Sequence, residues 1–371
     1  MKRIATIAAA LAGILSATAP AHARPVTDCP LRNAPFSIET PLIDILLSPA
    51  ARKLVETETG ADFSKGPARF VGTTPPSFAA ILSLKEAGMF TRTKPEQLGP
   101  LDAKLRALPV TAADRVARCA RYDNDVPTFS LPQGKPRLLM FEKINGFKDE
   151  PSVNSAHAAL VAMAERKGWA IVSTEKAGAF NPRTLRQFDA VIWNNISGDV
   201  LTLSQRRAFQ TWLSAGGAFV GIHGSAGDPV YFWDWYPDTL LGARFAGHPM
   251  NPQFQDARVA VEAAGHPITA ALPREWVMSD EWYSFKNNPR ASGSTVIATL
   301  DESTYKPEGV MGQVLRMGDH PIAWTRCVGK GRVFYSAIGH RPETYVQPQN
   351  VALMEGAIGW AIGEKQACPA R

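Results

Sequence analysis

The chain has little cysteine. Its 371 residues contain four, Cys29, Cys119, Cys327 and Cys368. None stands in a C-x-x-C spacing, which argues against a zinc knuckle. Long apolar runs are missing beyond the first residues, so no later segment is long enough to cross a bilayer as a helix. Basic residues are scattered and do not cluster with aromatics as a nucleic-acid groove requires. The net charge is only +6, and no nucleic-acid partner is expected. No G-x-G-x-x-G or phosphate-loop pattern opens a strand–helix turn. The G-x-S-x-G nucleophile elbow is absent too, because Gly221-Ile222-His223-Gly224-Ser225 has histidine at its centre.

The amino terminus does carry a pattern. Lys2 and Arg3 precede an apolar stretch from Ile4 to Leu15, and Ala21-His22-Ala23 offers small residues at the positions a signal peptidase reads. Cleavage is expected after Ala23, which leaves 371 − 23 = 348 residues and a charge of 6 − 2 = +4. The expected location is therefore outside the cytoplasm, in the periplasm or secreted. An even number of cysteines in an exported chain suggests two disulfides. Three pairings are open. Cys29–Cys119 with Cys327–Cys368 is favoured, because each pair lies within one compositional region.

A seam rich in Asp, Asn, Pro and Gly near 122–136 divides the chain. The division is residues 24–125 as a small helical module, 126–135 as a linker and 136–371 as the main domain. In the module, Thr40-Pro41 reads as a helix start, Ser48-Pro49 restarts the helix and Gly60 ends it. Phe78–Ala87 and Pro95–Leu108 read as further amphipathic pieces. After the seam, apolar strands at 137–141, 170–174, 190–194 and 218–223 alternate with helices at 155–167 and 204–213. This pattern argues for an α/β fold with a doubly wound parallel sheet. More strands are expected at 258–262, 282–285, 295–300, 321–326 and 332–338, and a closing helix over 350–362.

Ligands of open α/β sheets bind at the carboxyl ends of the strands. Three places qualify: Lys143-Ile144-Asn145-Gly146-Phe147, Gly221-Ile222-His223-Gly224-Ser225, and Gly339-His340-Arg341-Pro342-Glu343. His223 and His340 are candidate acid–base residues with Glu281 as a carboxylate partner. Imidazole and carboxylate groups of His223, His248, Glu281 and His340 also form a candidate ligand set for a divalent metal such as zinc. Candidate substrate contacts are Asn145, Gly146, Phe147, Trp235, Asp280, Tyr283, Arg341 and Glu343. The aromatic run Tyr231-Phe232-Trp233-Asp234-Trp235-Tyr236 can stack on sugar faces or fill a core, and core is the better expectation for most of it. His320 is a weaker candidate, and His266-Pro267 reads as a surface turn.

From Pro136 to Gly363 the chain resembles the ThuA-like, trehalose-utilisation family. The resemblance rests on ordered motifs: Asn145-Gly146-Phe147, Phe188-Asp189-Ala190-Val191, Ser197-Gly198-Asp199-Val200-Leu201, the run from Gly216 to His223, Asp234-Trp235-Tyr236, Gly247-His248-Pro249, Asp280-Glu281-Trp282-Tyr283-Ser284-Phe285, Asp319-His320-Pro321 and Gly339-His340. It implies a flavodoxin-like sheet similar to class I glutamine amidotransferases, and a small-molecule carbohydrate or oxidised (keto) sugar as partner. Glutaminase chemistry is not expected, because histidine stands near the place of the thiolate. Many family members carry histidine just after the first-loop Gly-Phe-Arg. Here Asp149 and Glu150 follow Gly146-Phe147-Lys148 and are candidates to replace it. The expected function is acid–base or metal-assisted chemistry on a sugar, as a hydrolase, lyase or isomerase. The alternative is a carbohydrate-binding protein without turnover.

Overall fold

The computed structural model describes residues 25–91, 93–363 and 368. The leader expected over residues 1–23 lies outside them. No helix among the described residues is long and apolar enough to cross a membrane.

Short helices come first: α1 (Leu42–Leu47), α2 (Pro49–Thr59), α3 (Ala68–Val71), α4 (Gly88–Thr91), α5 (Pro95–Arg106) and α6 (Ala112–Cys119). Ser48 caps α2 ahead of Pro49, as the sequence suggests. The start of α1 differs. Pro41 itself is the N-cap, and the Thr40 hydroxyl instead accepts from the Ser37 amide. Phe78–Ala87 forms only a short turn over Phe78–Ala80, its remaining apolar residues being buried without a helix. These elements surround their own cluster, which includes Phe36, Leu42, Ile45, Val55, Leu101 and Leu105. Each such side chain contributes roughly 1.5–3 kcal/mol by burial. Cys29–Cys119 ties the first described residues to α6. Asp44 and Arg121 form a buried ion pair at 2.5 Å.

The sheet follows: β1 (Arg137–Phe141), β2 (Ala170–Thr174), β3 (Ala190–Asn194), β4 (Ala218–Ile222), β6 (Phe254–Val261), β7 (Glu275–Glu281), β9 (Thr295–Asp301), β10 (Pro321–Val328) and β11 (Gly331–Ser336), with β5 (Phe245–Gly247) and β8 (Ser284–Phe285) as a separate pair. The order is β2-β1-β3-β4-β11-β10-β9-β6-β7. The first five strands are parallel, and β11 through β7 pair antiparallel. The fold is thus mixed α/β, with a doubly wound parallel half of flavodoxin-like order. Every residue of β3 and β4 is buried, as continuous apolar runs covered on both faces require.

Helices α7 (Glu150–Lys167), α8 (Pro182–Leu185), α9 (Leu203–Ser214) and α10 (Pro348–Ala361) cover the sheet. Right-handed crossovers put α7 and α9 on opposite faces, because the chain moves one way from β1 to β2 and the other way from β3 to β4. Glu355 of α10 pairs with Arg166 and Lys167 at the end of α7. Asp149 starts α7 earlier than residue 155, and Thr202, not Ser204, caps α9 in a capping box with Gln205. Strand β7 was not expected. Its burial alternates over Glu275–Met278, but Trp276, Val277 and Met278 are apolar in a row and Ser279, Asp280 and Glu281 polar, so the sequence shows no period of two. The second disulfide joins Cys327 to Cys368.

The strand order reverses between β1 and β3, and the loops after these strands meet there. The Asn145 and Gly146 amides both donate to the Ser197 carbonyl, at 3.0 and 2.9 Å. A Cβ on Gly146 would lie 2.3 Å from Ser197 Oγ and 2.5 Å from Ile81 Cγ2, so this crossing admits only glycine. Ile81 belongs to the helical module, which therefore rests on the first loop. The Ser77 amide donates to the Asn145 carbonyl at 3.0 Å, and the Tyr122 hydroxyl to Asp199 at 2.8 Å.

Candidate functional site

His223 directly follows β4 and is 3 % exposed. Its backbone has φ +35°, a conformation that non-glycine residues rarely adopt and that concentrates at functional sites. Its Nδ1 lies 2.7 Å from the Ala337 carbonyl oxygen. A carbonyl only accepts, so the proton is on Nδ1 and Nε2 faces the opposite way. Nε2 stands 3.4 Å from Glu281 Oε2 and 3.2 Å from His340 Nδ1. His340 Nδ1 is itself 2.9 Å from Glu281 Oε2. On the other carboxylate oxygen, His248 Nδ1 approaches to 3.1 Å and Gln253 Nε2 donates at 2.5 Å. Ligand atoms of His223, Glu281 and His340 all lie within 4.8 Å of one another.

The cluster joins distant parts of the sheet. Glu281 ends β7, the edge strand, five steps from β4 in the strand order. In a flat sheet that is roughly 24 Å, at about 4.8 Å per step. The antiparallel half must curl over the strand ends for these side chains to touch.

Burial pushes the Glu281 carboxyl up, but His223 and His340 outweigh it and hold it well below the usual carboxylate range. Burial likewise opposes charge on His340, and Glu281 raises its pKa above the ordinary histidine value. An ionised carboxylate among imidazoles is thus retained in a buried place.

Asp280 positions the loop that carries His340. Its carboxylate accepts from the amides of Gly339 at 2.7 Å, His340 at 3.1 Å and Arg341 at 3.2 Å. Gly339 has φ +142°, and a Cβ there would lie 2.5 Å from the Tyr345 hydroxyl, so the turn needs glycine. Ser152 at the start of α7 donates to the His340 carbonyl. The Tyr283 ring covers His223 with centroids 4.1 Å apart. His320 donates from Nε2 to the Tyr283 carbonyl at 2.8 Å and meets Glu302 at 2.9 Å through Nδ1. It supports the cluster from behind and does not join it.

The other expected contacts divide. Phe147, 38 % exposed, stacks near His340 at 6.1 Å and near Phe78 at 5.2 Å. Asn145 is buried, and its side-chain amide donates to the Asp199 and Arg121 carbonyls at 2.7 and 3.3 Å. Arg341 lies over the Phe254 ring at 5.8 Å and pairs with the exposed Glu343 at 3.4 Å. Trp235 packs on Trp233 and Phe209, so the structure does not bring it to the histidines. Asp149 caps α7 by accepting from the Ser152 amide and Glu150 pairs with Lys148, while the converging ligand atoms come from His223, Glu281 and His340. Ser225 donates to the Trp193 carbonyl at 3.0 Å and accepts from the Ile196 amide at 3.2 Å, which engages its hydroxyl structurally. His266 caps the turn Pro267–Thr269. Gln253 and Phe254, whose ring lies 5.2 Å from His340, have no signature in the sequence.

The profile of the ThuA family, described as trehalose utilisation, matches residues 137–361, more than half of the 371 residues. This chain belongs to the ThuA family. The match runs from the start of β1 to the end of α10, and the helical module lies before it. A ThuA-like protein from Bacteroides uniformis has a similar structure, with TM-score 0.53 and 24% identity over 63% of this chain and 94% of that one. One from Parabacteroides merdae gives TM-score 0.48 and 16% identity over 63% and 93%. At 24% identity the first of these likenesses bears on the fold alone. No curated protein matches the chain in sequence.

Proposed function

We propose that this ThuA-family protein is an exported enzyme that acts on a sugar or keto-sugar derivative, with a divalent metal such as zinc held by His223, Glu281 and His340. One observation carries the reading: two imidazoles and one ionised carboxylate converge within 4.8 Å in a buried place at the strand ends. Two histidines with one glutamate are a donor set that suits catalytic zinc and leaves a position open. The hydrogen bond from His223 Nδ1 to the Ala337 carbonyl is the outer support that metal-binding histidines use to fix their ring. A bound cation would polarise a substrate carbonyl or hydroxyl.

The chain's own residues do the rest. His248 is the most accessible of the group, with a side chain 26% exposed; its Nδ1 faces the Pro249 carbonyl and Glu281, which leaves Nε2 to take or return a proton. Phe147 and Phe254 flank His340 and limit water around it. Gln253 holds the second carboxylate oxygen and fixes its direction. Two disulfides support export to an oxidising compartment.

The test is a thermal-shift screen of the mature protein against trehalose, its oxidised derivatives and other disaccharides, with and without zinc, followed by product analysis of each hit. Zinc-dependent product that disappears in His340→Ala supports the reading. Stabilisation by a sugar with no product after long incubation would instead favour the binding-protein alternative.

A further inference from the structure

The aromatic run Tyr231–Tyr236 is not used by the histidine cluster. It forms one side of a separate cleft, whose other side comes from the loop after β3, Ile196 to Leu201. Trp193, at 4 % exposure, lines this cleft, and its indole N–H finds no acceptor among the described residues. The Tyr231 hydroxyl is buried there too. The Asp228 backbone approaches it without closing a hydrogen bond of normal geometry. Buried donors left unpaired cost free energy and call for a partner.

The chemistry narrows the partner. An anion is disfavoured, because no Lys, Arg or His lines the cleft. A cation lacks a free ligand set: Asp228 already accepts from Ser197 at 2.6 Å and from the Gly198 amide at 2.8 Å, and Asp199 pairs with Arg206. A purely apolar guest would leave the Trp193 N–H unpaired. A neutral, hydroxyl-bearing ring meets every condition. The cleft has room for about one or two water-sized groups, the size of a hydroxyl or hydroxymethyl group. Tyr231, Phe232, Trp233 and Tyr236 line it, and the C–H face of a sugar can lie against such rings.

We infer that this cleft is a second binding site, which takes one pyranose ring with a hydroxyl or hydroxymethyl group inserted toward Trp193 and Tyr231. The inference rests on the carbohydrate part of the proposed function and not on the metal. The cleft adjoins the histidine cluster. Gly227 packs so closely on Tyr283 that a Cβ would lie 2.6 Å from its hydroxyl, and Tyr283 covers His223. A sugar here would be the neighbour of one held at the histidines.

The experiment is calorimetric titration of the full-length mature chain with D-glucose after EDTA treatment. Glucose is expected to bind, and Tyr231→Phe and Trp193→Phe are each expected to weaken it about three- to tenfold, the range for one lost buried hydrogen bond. Tyr231→Phe removes only the hydroxyl and keeps the ring, so it tests the site even if Trp193→Phe folds poorly. Affinity unchanged in Tyr231→Phe, or no binding at all, means that the cleft holds ordered water only and overturns the inference. Affinity lost only in His340→Ala overturns it as well, since the sugar then sits at the histidines, and leaves the proposed function standing. Zinc titration of the same protein judges the metal separately.

Discussion

His223 Nε2 stands 3.2 Å from His340 Nδ1, although 117 residues separate them. The Glu281 carboxylate lies beside both, and a single proton or cation has to reconcile three ligand atoms that all carry lone pairs.

Zinc affinity should therefore depend on Glu281. Supporting residues of metal sites alter affinity by about 10- to 100-fold when removed, so loss of a ligand in Glu281→Gln should cost at least that much. Competition with a chromophoric chelator measures it. His266→Ala, altered in a turn outside the cluster, should bind zinc like the wild type.

Asp280 should matter for stability and zinc affinity together. Asp280→Ala strands the three amides it accepts from in the loop 339–341, for an expected loss of about 3 kcal/mol in urea unfolding. The same variant should bind zinc less tightly, because His340 is no longer held. Unchanged stability would show that the loop keeps its shape without Asp280.

Asp228 predicts the pH dependence. Burial raises its pKa from 3.8 to about 7, against the opposing hydrogen bonds from Ser197 and Gly198. The folded state therefore holds the proton more tightly than the unfolded chain. Its contribution is fully present below about pH 4 and is lost as pH rises through about 7. In Asp228→Asn the amide can donate to Ser197 and accept from Gly198, like the protonated acid. That variant should flatten the decline in melting temperature between pH 5 and 8.

The Cys29–Cys119 bond closes a separation of 90 residues. In the chain-entropy account a loop of that length is worth about 4.6 kcal/mol. Paired Cys29→Ser and Cys119→Ser substitutions should lower stability by an amount of that order. Hydrogen exchange should rise first in α1 to α6, which have their own core, while β3 and β4 stay protected.

Much of the architecture was legible in the amino-acid order, because burial on both faces of a strand writes continuous apolar runs. The strands at 137–141, 170–174, 190–194 and 218–222 could be read this way. The antiparallel half was harder. β7 alternates exposed and buried positions only over Glu275–Met278, and its exposed Val277 hides the period from the sequence. Helix starts slipped by a few residues wherever two capping residues competed, as at Thr202 and Ser204.

The chain's order alone determined the ThuA family, the α/β class, the cysteine pairing that was favoured, and which histidines follow strands. Tertiary structure alone decided which of them meet. His223 and Glu281 come from strands five steps apart, roughly 24 Å in a flat sheet, and only the curl of the antiparallel half brings them to 3.4 Å. It also decided that Asp149 and Asp280 hold backbone amides, that Trp235 lies in packing, and that Gln253 and His248 join Glu281. Linear spacing records the direction of a side chain within its own element, but the distance between elements is set by the summed twist and packing of everything between them.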